Sequence, residues 1–231
     1  MNETDMNTGE TATKTTESET QTTEVVKKTA VPRADQDQLQ ANFVGEVARE
    51  VQVLQQSPES LAKMAKRNYD AAKLNAGLVL VAVFQAKRAA RQEKLGGLRA
   101  AGGTVIESFS TAKGAVTEYR ESVRLAYPDD KAMQQILGVN ERVPQDQEKF
   151  LVYATTCATT AKKAPYATAL EEVGFELSVY ESTIAAFDTA RTHLTVAEQE
   201  AKDATAARDT AFNTLKKWAQ SFRRALRLAL K

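Results

Sequence analysis

The 231-residue chain predicts an all-α fold: an elongated helical bundle of four or more helices (residues 36–231) behind a disordered N-terminal tail (residues 1–35). Three observations carry that expectation. Apolar residues recur at spacings of three and four through most of the second part. Good helix formers such as Ala, Lys, Arg and Gln fill the positions between them. Strand signals are few, and no internal repeat of fixed period is present. Hydrophobic residues make up 42% and charged residues 26%, so a chain of this length buries a sizeable core without disulfides or metals.

Residues 1–35 hold ten Thr, seven acidic and four basic residues and no aromatic one. Val25, Val26 and Val31 are its only aliphatic β-branched positions. Such a segment buries too little apolar surface to offset its ordering entropy. It predicts disorder ending near Pro32, with a flexible tether or a modification-rich tail as the functional alternative. From Asp37 onward, Phe43, Val47, Val51 and Leu54 share one helix face. Gln55 to Glu59 interrupts it, with Ser57 suited to an N-cap and Pro58 to the first helical position. The next helix is expected from Pro58 to about Leu95, with Leu61, Met64, Ala65, Ala72, Gly77, Val79 and Val83 on its apolar side. The run Gly77 to Phe84 also suits a buried strand, but helical flanks favour helix.

Gly96-Gly97 and Gly102-Gly103 are turn signals. A separate helix is therefore expected from Thr104 to Ala126, where Val105, Phe109, Ala112, Val116, Tyr119 and Val123 keep the helical spacing. Tyr127-Pro128-Asp129 stops it. A short helix from Asp130 to Leu137 ends at Gly138, a favoured cap residue. Pro144 opens a segment carrying Phe150, Leu151 and Ala154, and the Thr-rich residues 155–160 weaken its helical signal. A further helix is expected from Pro165 to about Val173, broken by Gly174. Glu176 to Lys231 contains no Pro or Gly and forms either one very long helix or two. Val179, Ile184, Phe187, Ala190, Leu194 and Ala197 make its first apolar stripe, and Phe212, Leu215, Trp218, Phe222, Leu226 and Ala229 its last.

Catalytic chemistry is sparse. One Cys and one His exclude an intramolecular disulfide, a Cys-rich cage and a multi-His site within one chain. Cys157 has only Thr and Ala beside it and no local cation to activate it. Ala190 stands three residues before His193, where the Glu-x-x-His pattern of di-iron bundles needs a Glu. Gly97 to Thr104 has the glycine spacing of a phosphate loop, but Gly103 occupies the place of its Lys. Glu171, Glu172 and Glu176 fit a solvated face, with nothing pairing a general acid to a base. A non-enzyme without cofactor or metal is expected.

Charge is segregated. The net is +1 over the whole chain, yet −3 over residues 1–35, −3 over 36–61, +7 over 62–99, −6 over 100–215 and +6 over 216–231. The last segment supplies a candidate interaction surface: Lys216, Lys217, Trp218, Phe222, Arg223, Arg224 and Arg227. An apolar stripe beside a basic face suits an acidic membrane, a partner groove or a nucleic-acid backbone. The plain alternative is a bundle helix whose cations complement the helix dipole.

The pattern Arg208-Asp209, Ala211, Leu215, Trp218, Phe222, Leu226 resembles the C-terminal pattern of a group of uncharacterised bacterial all-helical proteins. Leu137-Gly138, the Phe150 segment and Gly174 look similar to that group as well, over roughly residues 125–231. The resemblance implies an all-helical fold, and neither an activity nor a functional residue.

The functional expectation is a non-enzymatic structural or interaction protein, self-associating through long helix faces as a homo-oligomer or binding a protein partner. The alternative is a membrane-binding or pore-forming helical protein. Its inserted element would be the 13 uncharged residues between Lys73 and Lys87, with Leu78 to Phe84 at their centre; a spanning helix needs about 20 apolar residues. Nucleic acid is the weakest of the partner classes. The acidic, polar start lacks a secretory signal pattern, so a cytoplasmic location is expected.

Overall fold

The computed structural model describes residues 33–230. The predicted tail therefore lies outside the described residues, except for Arg33 to Asp35, which are already helical. The chain divides into two units, Met1–Leu39 and Gln40–Lys231. The described part of the first is the opening of α1 (Arg33–Gln55), and the account that follows concerns the second. There α1 continues and is followed by α2 (Pro58–Ala65), α3 (Ala71–Ala126), α4 (Lys131–Ile136), α5 (Gln147–Ala161), α6 (Tyr166–Glu172) and α7 (Leu177–Ala229). The described residues contain no strand, and the fold is all-α.

Two long helices organise the unit. α3 has 56 residues and α7 has 53, which at about 1.5 Å per residue gives roughly 80 Å each. They pair antiparallel along their lengths. Trp218 lies against Gly77, Arg91 Nε donates to Thr205 Oγ1 at 3.2 Å, Lys94 meets Glu200 at 2.9 Å, and the ring of Phe109 stacks on Phe187. Helices α1 and α2 cover one end of this hairpin, which we call proximal. Helices α4 to α6 are inserted at the other, distal end.

Each end has its own core. At the distal end Phe109, Phe150 and Phe187, from α3, α5 and α7, form a triangle with centroids 5.0 to 5.9 Å apart. Tyr119, Phe175 and Tyr180 form a second one. Their hydroxyls hold backbone: Tyr119 donates to the Leu137 carbonyl at 2.9 Å, Tyr180 to that of Ala154 at 3.1 Å. Buried phenols need such partners. Gly138 has φ +77°, and a Cβ there would sit 3.0 Å from Cys157 Sγ, so this turn requires glycine. At the proximal end Val44, Val47, Val81, Phe84, Leu215 and Ala219 make one cluster, and Val51, Leu54, Met64, Leu74 and Phe222 a second.

Two expected boundaries fail. The helix expected from Pro58 to Leu95 breaks after Ala65. Asn68 turns the chain at φ 64°, a conformation Asn tolerates better than other non-glycine residues. Asp70 then starts α3, its Oδ1 accepting from the Lys73 N–H at 2.9 Å. The break re-phases the stripe: Leu74, Gly77, Val81 and Phe84 are buried, whereas Ala65, Ala72, Val79 and Val83 are exposed. Conversely, the two glycine pairs make no turn, and α3 passes straight through them. Four helical glycines cost about 0.8–1 kcal/mol each relative to Ala, but no Pro follows them and packed cores clamp the helix on both sides. The Thr-rich residues 155–160 are helical within α5. The stretch 176–231 holds one helix, Leu177–Ala229, capped by Glu176 and Leu230. Its stripe carries Tyr180 in place of Val179, which is 54% exposed.

Candidate interaction surfaces

The C-terminal candidate residues divide by their angle around α7. Leu215, Ala219 and Phe222 are fully buried. Trp218 stacks on Phe222 at 5.1 Å and meets Tyr69 edge-on at 6.2 Å. The apolar stripe of this amphipathic helix is thus used inside the proximal core. Arg223 is also engaged: it pairs with Glu50 at 2.8 Å and Glu46 at 3.4 Å and lies over the ring of Phe43 at 5.1 Å. Both carboxylates come from α1, so this cation ties α7 to α1. Lys216, Lys217, Arg224 and Arg227 face outward and are exposed. None of the four has an acidic partner among the described residues. Of the seven candidates, the structure keeps four together on one free face and turns three inward.

The groups weighed as catalytic are scattered. Cys157 is buried, and burial pushes its thiol up to about 11, so it stays protonated and non-nucleophilic near neutral pH. His193 is exposed in the middle of α7, and no cluster of potential metal ligands exists among the described residues. The stretch Gly97 to Thr104 is helix interior, so its amides bond along the helix and cannot cradle a phosphate. A hollow of about 300 Å³ lies beside Gly138, Tyr153 and Cys157.

A second surface escaped the periodicity argument. On the outside of α3, opposite α7, Ala72, Ala76, Val79, Val83, Ala86 and Ala90 follow alternating steps of four and three and are all exposed. The line continues through Glu93, Gly97, Ala100, Thr104 and Glu107, also exposed. Val79 is 60% and Val83 41% exposed. Nothing lies within 4 Å of a Cβ placed on Gly96, Gly97, Gly102 or Gly103. The heptad spacing was the available signal; it was masked because a helix with no break at Asn68 assigns Val79 and Val83 to the core. The run Leu78 to Phe84 is accordingly half sunk and half outward. No described helix is long and apolar enough to cross a membrane.

No protein-family model, no curated protein and no solved structure matches the chain.

Proposed function

We propose that the protein is a non-enzymatic assembly element that self-associates through the outward face of α3. The single observation behind this reading is the exposed heptad line on α3, which carries nothing bulkier than Val apart from Glu and runs through Gly97, where an added Cβ would meet nothing within 4 Å, as at the neighbouring Gly96, Gly102 and Gly103. Small residues let helix backbones approach closely, and a spacing of 3.5 is the period of a helix seam. The occupant is a second copy laid antiparallel. A parallel copy would superpose the basic residues 62–99, net +7, on themselves, whereas an antiparallel one sets them against residues 100–126 of α3, where three acids balance three cations. With the crossing near Gly96 and Gly97, Lys73 and Lys87 of one copy approach Glu118 and Glu107 of the other.

Light scattering across a concentration series tests this on the full chain. A dimer is expected, reduced to monomer by Val79→Glu with Val83→Glu while the circular dichroism stays helical. Both positions are exposed, so the substitutions spare the core. A monomer at every concentration for the unaltered chain overturns the reading.

A further inference from the structure

The proximal end holds cations without counter-charges. The turn after α2 places Lys66 and Arg67 beside α7, because Tyr69, two residues on, packs against Trp218 and Phe222. Lys216, Lys217, Arg224 and Arg227 stand on the outer face of α7 at the same end, and all six are exposed. The acids there are already used: Glu46 and Glu50 by Arg223, Glu59 by Lys63 at 2.7 Å, and Asp70 by the α3 N-terminus. No acidic residue follows Asp209. Six cations of one sign within one end of a bundle repel one another and attract a polyanion.

Two leucines decide which polyanion. Leu228 and Leu230, in the last turn, are 51% and 56% exposed among these charges. Apolar tips gain nothing against a phosphodiester backbone but enter a headgroup layer. The aromatic that would stack on a nucleic-acid base, Trp218, is committed to the core. We propose that this end is a docking surface for an anionic lipid bilayer, in which the six cations bind headgroups and Leu228 and Leu230 insert shallowly at the interface. The mode is peripheral, since the apolar stripe of α7 stays packed inside. It uses a different face from the self-association above and stands without it.

The test is co-sedimentation of the full chain with vesicles of phosphatidylcholine alone or with about one third phosphatidylglycerol. Each cation near an anionic surface is worth about fivefold in partitioning. Binding is expected to the anionic vesicles only and to fall steeply as salt rises. Lys217→Glu with Arg224→Glu should weaken it by more than about 25-fold, two such steps. Leu228→Ser with Leu230→Ser should weaken it while leaving the salt dependence unchanged. All four side chains are exposed, and circular dichroism checks that each variant folds. No binding to anionic vesicles at low salt overturns the proposal. So does binding to duplex DNA that is tighter than to vesicles and indifferent to the leucine changes.

Discussion

The two ends of the α3–α7 hairpin and its middle are built on different principles. The ends are held by large side chains from three or more helices: Phe109, Phe150 and Phe187 distally, and Phe43, Phe84 and Phe212 with Trp218 and Phe222 proximally. Between about Arg91 and Val105, α3 packs along α7. The seam there is thin, with Ala201 buried and Leu95, Leu98 and Leu194 half-buried. Polar contacts supplement it, such as Arg91 to Thr205 and Lys94 to Glu200. The ends supply burial. The middle relies on helix continuity, although it holds four glycines that disfavour helix. Independent cores joined by a weak connector should unfold separately.

The largest effect should come from breaking one end while watching the other. Phe187 is fully buried and touches two aromatic partners, so Phe187→Ala should destabilise the distal end by about 3–5 kcal/mol. Trp218 is the only tryptophan and sits proximally, so its fluorescence reports the other end. In urea, circular dichroism should lose its distal share early while Trp218 emission keeps its unaltered midpoint. Coincident transitions by both probes would show that the middle transmits stability, and would sink the comparison.

A smaller effect should follow from pH. Burial raises the Cys157 thiol from its ordinary 9 to about 11, and burial likewise raises the phenols of Tyr119, Tyr153 and Tyr180. Each folded-state pKa lies above the unfolded value, so the stability involved is fully present below pH 9 and is lost as pH rises. For the thiol the loss runs from pH 9 through about 11. All four groups are distal. Alkaline titration should therefore produce tyrosinate absorbance together with partial loss of helix, with Trp218 emission unchanged at the onset. Ionisation of Tyr119, Tyr153 and Tyr180 near pH 10 with the helix intact would contradict their burial.

The ends were legible in the sequence and the middle was not, for a physical reason. Phe43, Val47, Val51 and Leu54 on α1 and Val105 to Val123 on α3 announce themselves because large apolar side chains at helical spacing have one sensible place to go. Gly138 and Gly174 marked turns correctly, each at positive φ. Gly96-Gly97 and Gly102-Gly103 looked the same locally, yet tertiary clamping on both sides outweighed their preference. The break at Asn68 carried no Gly or Pro signal, and missing it hid the outward line on α3. The basic residues of α7 were visible as a group, but which of them were free depended on Glu46 and Glu50, about 170 residues away in sequence. Periodicity within one helix cannot supply that.

Glycine gives the finest contrast, because one helix contains both kinds. At Gly77 an added Cβ would lie 2.2 Å from the Trp218 ring. That ring is wedged against Phe222 and Tyr69, so Gly77→Ala forces it to shift and should cost about 1–3 kcal/mol as overpacking. Trp218 emission should move in the folded state as well. At Gly97 the space is open, and the backbone is already helical. Gly97→Ala then acts mainly by restricting the unfolded chain and should stabilise by about 0.5–1 kcal/mol. The same substitution in the same helix thus carries opposite signs, set by what faces the Cβ. Hydrogen exchange locates the second effect: amides near Gly97 should gain protection while those of the distal core do not. Should Gly97→Ala destabilise the assembled protein but stabilise a monomer carrying Val79→Glu and Val83→Glu, the open space beside Gly97 is filled by a second copy. The glycines of the middle are then an interface, and their cost to helix stability is what allows two α3 backbones to meet.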